Sequence, residues 1–151
     1  MNQLKLRPVQ KSDIELIFKW SNDEEVRKNS FHTEAIKWEE HVKWFNNIID
    51  NRNVCFFILE NNADSIGQIR IAFNETNKGI ISFSINKEFR GLGFGNEILR
   101  LAEKELNKMN IKCELIGLVK INNLASQKAF LINRYEEIKY NDKNMKYIKK
   151  I

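Results

Sequence analysis

The chain reads SFSINKEFRGLGFGN from Ser82 to Asn96. Its first residues alternate apolar and polar side chains at the period of a β-strand, and from Phe94 onward apolar residues recur every three or four positions, as in an amphipathic helix. Three glycines lie between the two patterns. The stretch therefore predicts a strand, a glycine-rich loop and the first turn of a helix.

The loop has the features of an anion-binding site. The first N–H groups of a helix have no partner within the helix, and the helix dipole favours negative charge at that end. Glycines let a phosphate approach the backbone because no Cβ is in the way. The loop lacks both the Lys-Ser/Thr ending of a P-loop and the glycine spacing of a dinucleotide fingerprint. We expect a phosphate-bearing ligand of another kind; the alternative is a glycine-rich turn without a ligand.

The run from Arg90 to Gly95 resembles the acyl-CoA loop of the GNAT acetyltransferase family, Gln/Arg-x-x-Gly-x-Gly/Ala, with Arg90, Gly93 and Gly95 at the defining positions. The resemblance implies acetyl-CoA as the cofactor, with its diphosphate on backbone N–H groups of the loop and its acetyl carbonyl on an N–H of the preceding strand. The cofactor-binding residues expected on this stretch are Phe83, Ile85, Arg90, Gly91, Leu92, Gly93, Phe94, Gly95 and Asn96.

A second motif, NLASQKAF at residues 123–130, resembles the family pattern Asn-x-x-Ser/Ala-x-x-x-Tyr. Asn123 and Ser126 occupy positions that imply contacts to the pantetheine and phosphate part of coenzyme A; the alternative for Asn123 is a helix cap. Phe130 stands at the cofactor-binding position of the usual tyrosine, whose phenol in many relatives protonates the leaving thiolate. Bulk water is one replacement for that acid, and the others are Tyr135, Tyr140 and Tyr147.

The order of predicted elements matches the same family over essentially the whole chain. We expect a short first strand, a helix with a capping box at residues 12–15, a loop or single turn at 21–30, and a second helix at 33–50. Strands at 53–60, 65–73 and 79–85 follow, then a helix at 94–110, a strand at 113–119, a helix at 123–132 and two short strands. The expected fold is one α/β domain over residues 1–151. Its mixed, mostly antiparallel sheet has about seven strands, splays between the fourth and fifth, and is flanked by about four helices.

The candidate catalytic residues follow from the chemistry of an amine nucleophile. Such an amine attacks only when neutral, so its proton needs a route out. Many relatives carry a glutamate early on the fourth strand, but residues 80–84 here include no titratable group. The candidate bases are His41 and Glu114, and Ser84 is a candidate to hold a relaying water. The alternative for His41 is a packed structural histidine.

The first third of the chain suggests the acceptor. It resembles the GNAT branch with the N-acetyltransferase of pseudaminic acid biosynthesis, and it shares features with the ribosomal-protein acetyltransferases; the matching residues are Phe18, Trp20, Asn22, Glu40 and His41. This implies a nucleotide-linked amino-sugar as acceptor, a ligand whose rings stack on aromatic faces. The expected acceptor contacts are Trp20, Arg27, His41 and Trp44, whereas Trp38, Phe45 and Phe18 are predicted to be core. The alternatives are a protein amine as acceptor, or a coenzyme-binding module without catalysis.

Composition limits the remaining classes. No apolar run reaches the ~20 residues that span a bilayer and the start has no signal pattern, so we expect a cytoplasmic protein without a membrane partner. The net charge of +5 is scattered except at residues 143–150, where we expect a solvated edge strand and no nucleic-acid site. Cys55 and Cys113 lack metal-ligand spacing and are interpreted as reduced core residues, with no metal expected. The sequence is compatible with a homodimer.

Overall fold

A computed structural model describes residues 3–151; residues 1 and 2 of the predicted domain lie outside it. The helices are α1 (Ile14–Ser21), α2 (Glu24–Asn29), α3 (Trp38–Ile49), α4 (Phe94–Lys108) and α5 (Leu124–Ile132). The strands are β1 (Leu4–Pro8), β2 (Val54–Asn61), β3 (Asp64–Phe73), β4 (Lys78–Ile85), β5 (Glu114–Lys120), β6 (Glu136–Lys139) and β7 (Asn144–Lys150). Short 3₁₀ turns precede α1 and follow β4.

The strands form one sheet in the order β1-β2-β3-β4-β5-β7-β6. Only β4 and β5 pair in parallel, joined through α4, and every other described pair is antiparallel. The parallel ladder begins at Lys78 with Glu114 and stops at Ile81 with Gly117. Beyond that point β4 continues on β3, and β5 continues on β7. The predicted mixed sheet and its splay between the fourth and fifth strands are confirmed.

Helices cover the two faces of the sheet unequally. On one face α4 and α5 pack over a continuous core that includes Leu59, Ile69, Leu99 and Leu115. On the other face α1 and α3 form a smaller cluster over β2, in which Ile17, Trp20, Phe45, Phe56 and Ile58 are buried. This second cover does not extend over β4, since Ile80 is 39% exposed and Ser82 is also exposed. The splay therefore has an open side on the α1–α3 face.

The N-terminal helices differ from the prediction in three ways. Residues 21–30 contain α2, which makes five α-helices rather than about four, because the Asp23 carboxylate caps it by accepting the N–H groups of Glu25 and Val26 at 3.0 and 3.2 Å. The predicted capping box at residues 12–15 is wrong by two residues: the box runs from Gln10 to Asp13, whose carboxylate accepts the backbone N–H of Gln10 at 2.7 Å. The second long helix begins only at Trp38, which is 40% exposed and not core.

The basic stretch at residues 143–150 is not an edge strand. It forms β7, which lies between β5 and β6, so β6 is the edge. Tyr147 in the middle of β7 is fully buried, whereas the lysines of the strand are partly or fully exposed. The cysteines are free thiols: Cys113 is buried, Cys55 is partly buried, and burial raises the pKa of both. Within residues 3–151 no helix is long and apolar enough to cross a bilayer, and no cluster of His, Cys, Asp and Glu has a metal-ligating arrangement.

Candidate active site

The glycine loop opens α4 without a side-chain cap. Gly93 is the N-cap residue with φ +87°, and Gly91 has φ +77°, a region that residues with a Cβ rarely adopt. The first N–H that finds an acceptor at this helix end is that of Glu97, which donates to the Gly93 carbonyl at 3.3 Å. A Cβ at Gly91 or Gly93 would meet no atom within 4 Å. Free N–H groups beside open space fit a diphosphate.

Arg90 is held within the protein. Its Nε donates to the Ile85 carbonyl at 3.0 Å, and its Nη2 donates to the Asp23 carboxylate at 2.7 Å. Burial acts to raise the pKa of Asp23, but the bonds from Arg90 and from the N–H of Val26 outweigh it and leave that pKa below its ordinary value. Arg90 therefore shapes the loop rather than projecting a free charge at a ligand.

Helix α2 bridges the two sides of the splay. Asp23, at its N-terminus, is bound to Arg90 beyond the end of β4. Near its C-terminus the carbonyl of Lys28 accepts a hydrogen bond at 3.0 Å from Nζ of Lys120, the last residue of β5. The helix thus lies across the opening between the diverging strands.

The edge of β4 offers free donors inside the splay. Asn86 donates its backbone N–H to Ile66 on β3 at 2.8 Å, so alternation directs the N–H groups of Phe83 and Ile85 away from β3 and toward β5. The β5 ladder has already ended at Gly117. The resemblance implies that an N–H group of this strand binds the acetyl carbonyl, and the N–H groups of Phe83 and Ile85 face the gap.

The α5 motif is partly used for capping. The Asn123 side-chain oxygen accepts the backbone N–H of Ser126 at 3.3 Å, which makes Asn123 the N-cap of α5. Asn96, in the first turn of α4, receives a hydrogen bond at 2.8 Å from Nδ2 of Asn133, which also donates to the Ala129 carbonyl at 2.9 Å. Asn133 was not singled out in the sequence; being buried and polar, it fastens the coenzyme-loop helix to α5.

Phe130 is a core residue and does not line the splay. It is 2% exposed, stacks on Tyr147 with ring centroids 5.2 Å apart, and meets Tyr135 edge-on at 4.9 Å. Tyr135 and Tyr147 are themselves buried, burial raises the pKa of both phenols, and the Tyr147 hydroxyl donates to Glu137 at 2.6 Å. The Tyr147 hydroxyl is thus occupied by Glu137, and the Tyr135 hydroxyl has no partner but is enclosed in the core. Tyr140 is exposed.

His41 and Glu114 have surroundings unlike those of a general base. His41 is 1% exposed, packed among the rings of Phe18, Trp38, Trp44 and Phe45, with Nε2 2.8 Å from the Ile14 carbonyl. Glu114 lies at the closed end of the β4–β5 ladder, beside Lys78 and Lys150 in the register. It is three residues, or roughly 10 Å of strand, before the splay opens. The geometry favours structural roles for both side chains.

The predicted acceptor contacts are dispersed. Trp20 is 5% exposed and belongs to the α1–α3 core cluster. Arg27 donates to the carbonyls of Ser21 and His32 at 2.7 and 2.8 Å, so it holds α2 to the chain that follows it. Trp44 is partly exposed on α3, with the guanidinium of Arg70 4.9 Å from its ring centroid. Among these predicted contacts Trp44 is a partly exposed aromatic residue, and the Arg70 guanidinium covers one face of its ring.

Two β3 residues near the splay were missed in the sequence. Gln68 lies opposite Ser84 in the ladder and donates to its hydroxyl at 2.9 Å, and Arg70 lies opposite Ser82. Gln68 is 9% exposed, and its Oε1 has no hydrogen-bond partner within the described chain. The sequence pattern could have indicated them, because Gln68 and Arg70 are two polar residues at the strand period within an otherwise apolar part of β3.

The comparisons place this geometry in a family. Residues 3–132 match the family model described as the acetyltransferase (GNAT) domain. A domain from Methanocaldococcus jannaschii is 22% identical with a TM-score of 0.86, and the superposition covers 100% of both chains. The spermidine N-acetyltransferase of Vibrio cholerae, solved with CoA and spermine, is 18% identical with a TM-score of 0.82 over 97% of this chain and 94% of that one.

A further solved structure is RimL, a ribosomal L7/L12 alpha-N-protein acetyltransferase in complex with coenzyme A. It is 14% identical with a TM-score of 0.82 over 98% of this chain and 94% of its own. No curated protein matches the sequence. The family match confirms the predicted acyltransferase class and acetyl-CoA as cosubstrate. This chain therefore belongs to the GNAT acetyltransferase family and carries the domain that transfers an acetyl group to an amine.

Proposed function

We propose that the chain acetylates the amino group of a nucleotide-linked amino-sugar. The observation that carries this proposal is the charge of the open side of the splay. Leu115, Gly117 and Val119 face the α4–α5 core, so the alternate β5 residues Leu118 and Lys120 face the open side. On β3 and β4 the corresponding residues are Gln68, Arg70, Ser82 and Ser84.

These six side chains include two cations, Arg70 and Lys120; Glu114, the β5 carboxylate on the same face, lies at the closed end of the ladder, in register with Lys78 and Lys150. A polyamine carries several positive charges and would need carboxylates on such a surface, whereas the diphosphate of a nucleotide sugar matches it. Asp23, at the start of the helix that crosses the opening, is already paired with Arg90.

The chain's own groups have separate roles in this reaction. Acetyl-CoA supplies the thioester carbonyl that the amine attacks. The N–H groups of Phe83 and Ile85 are roughly 6.6 Å apart along the strand, so one of the two would donate to the carbonyl oxygen and stabilise the negative charge that grows on it. The N–H groups at the start of α4 hold the diphosphate.

The proton of the amine leaves through water. The Ser84 hydroxyl, oriented by Gln68, lies on the open side beyond the ladder and holds the relaying water. The thiolate leaves without a protein acid, since a thiol pKa near ~8.5 makes it a fair leaving group at neutral pH.

The test is an acceptor screen. The protein is incubated with acetyl-CoA and a thiol reagent that reports free CoA, with a UDP-4-amino-sugar, spermidine, an aminoglycoside or an N-terminal peptide as acceptor. We expect CoA release with the UDP-amino-sugar and none with the same sugar already acetylated on that amine. Release with spermidine or the peptide alone would replace the proposed acceptor, and tight CoA binding with no release for any acceptor would favour a non-catalytic module.

A further inference from the structure

Arg70 differs from the other partly buried arginines in having no acceptor. Arg7 is bound to the carboxylates of Asp13 and Glu60, Arg27 to backbone carbonyls, and Arg90 to Asp23 and a carbonyl. Within residues 3–151 the guanidinium of Arg70 makes no hydrogen bond or ion pair; burial, without any charged partner, lowers its pKa. Five N–H donors on a partly buried side chain are thus left for a ligand or water.

Two aromatic rings hold this guanidinium in place. Its carbon lies 4.9 Å from the centroid of the Trp44 ring and 5.9 Å from that of Phe56. Stacking on aromatic faces fixes the plane of the group while leaving its N–H edge free, and it reduces the entropy lost when an anion is bound. The aromatic rings therefore hold the guanidinium of Arg70 in position, while its N–H groups have no hydrogen-bond acceptor within residues 3–151.

The position of Arg70 relates it to the reaction centre. It lies opposite Ser82 on β4, one residue beyond Ile81, where the β4–β5 ladder stops. Adjacent strands are roughly 5 Å apart, so Arg70 is one strand away from the free N–H of Phe83. Arg70 and Ser82 lie on the face of the sheet opposite the α4–α5 core, which is the side that the proposed function assigns to the acceptor.

From these observations we propose that Arg70 binds an anionic group, a phosphate or a carboxylate, carried by the same molecule that presents the amine. A guanidinium offers parallel N–H donors to two oxygens of such a group. The acceptor is then an amine with an attached anion rather than a polycation. This inference rests on the proposed function, which it deepens by naming the residue that selects the acceptor.

The test measures anion binding with the coenzyme site filled. Calorimetry on the protein saturated with CoA uses UDP, inorganic diphosphate and glucuronate as probes, so that the phosphate loop cannot account for the signal. We expect at least one probe to bind the wild type, and Arg70→Gln to weaken it roughly tenfold to a hundredfold. Binding of UDP and diphosphate would identify a phosphate, and binding of glucuronate a carboxylate. Arg70→Lys should retain part of the affinity, because it keeps the charge but loses the planar donors.

The control is Arg52→Gln, which removes the same charge from an exposed turn before β2. It should leave probe binding unchanged, and CoA affinity and melting temperature of Arg70→Gln should stay near wild type if the variant folds. No probe binding to the wild type, or equal binding to Arg70→Gln, overturns the inference.

The outcome is separable from that of the acceptor screen. If Arg70-dependent anion binding is found but no UDP-amino-sugar is acetylated, the inference stands and the acceptor is another anionic amine. If the UDP-amino-sugar is acetylated and its KM is the same for Arg70→Gln, the proposed function stands and the inference fails.

Discussion

The contact between Gly117 and Phe130 makes a sharp prediction about what keeps the splay in shape. Gly117 is the last β5 residue paired with β4, and a Cβ there would overlap Cζ of Phe130 and lie 2.8 Å from two more ring atoms. Ordinary carbon contacts are about 3.5 Å or longer, so Gly117→Ala requires the ring to move by roughly 1 Å. Tyr135 and Tyr147 enclose that ring.

The expected cost of Gly117→Ala is therefore at the upper end of overpacking, about 3 kcal/mol of unfolding free energy. For a chain of this size that lowers the melting temperature by roughly 6–12 °C. Phe130→Leu removes the para carbon that the new methyl would meet and alone costs about 1–2 kcal/mol. The double variant should be more stable than the sum of the two costs predicts, by at least about 1 kcal/mol.

Urea unfolding of the wild type, both single variants and the double variant completes the cycle. The matched control is Gly95→Ala, whose Cβ would lie 3.6 Å from Ala129 and from Phe83, an ordinary contact. In a helix alanine is favoured over glycine by about 0.5–1 kcal/mol, so this control should be at least as stable as the wild type. A Gly117→Ala cost below about 0.5 kcal/mol, or additive free energies in the cycle, would refute the packing argument.

Three other variants test separate parts of the molecule. Gly93→Val should reduce CoA affinity in calorimetry, because the new side chain would occupy the open space beside the loop. It should also cost about 1–2 kcal/mol of stability, because φ is +87° at this position. Unchanged CoA affinity would show that the loop is not part of the site. His41→Ala should lower the free energy of unfolding by about 2–3 kcal/mol and leave the pH–rate profile unshifted, because His41 is a buried structural residue. The control His32→Ala, at an exposed position, should change neither. Loss of the acidic limb of the pH–rate profile in His41→Ala would identify His41 as the general base. Hydrogen bonds from Arg7 lower the pKa of Asp13, so its contribution to stability is complete above the unfolded pKa of about 3.9 and is lost as pH falls through the lower folded pKa. In urea unfolding measured at several pH values, the free energy of unfolding of Asp13→Asn should therefore fall less steeply below about pH 4 than that of the wild type. An equally steep fall would contradict a stabilising ion pair between Arg7 and Asp13.

The predictions from sequence succeeded where the signal is local. The alternation over β4, the glycines and the helical period of α4 are each set by neighbouring residues, and the structure places the three elements accordingly. The order of elements predicted the mixed sheet, and the resemblance to the GNAT family implied its splay. The prediction for residues 21–30 is weaker: too few apolar residues indicate a loop or a single turn, and the structure has the six-residue helix α2, which buries no side chain and is capped by Asp23.

Side-chain environments were harder to predict. From the sequence His41 is a candidate general base, but the packing of α3 against α1 buries it against Ile14. Trp20 was expected at the acceptor and Trp38 in the core, and the structure reverses their exposure. Helical spacing shows that a residue lies on the apolar face of its helix. The way in which α1 and α3 cross decides which residues of that face are buried against the neighbouring helix and which remain exposed.

The amino-acid sequence by itself determined the glycine loop, the elements around it and the family, because strand period, helix period and the need for positive φ act between residues close in the chain. Tertiary structure alone decided that Arg70 and Gln68 lie on the open side of the splay, that the Phe130 ring packs against Gly117, and that α2 lies across the opening between β4 and β5. These relations depend on strand register and on contacts between distant segments, and burial and hydrogen bonding are only settled once those segments meet.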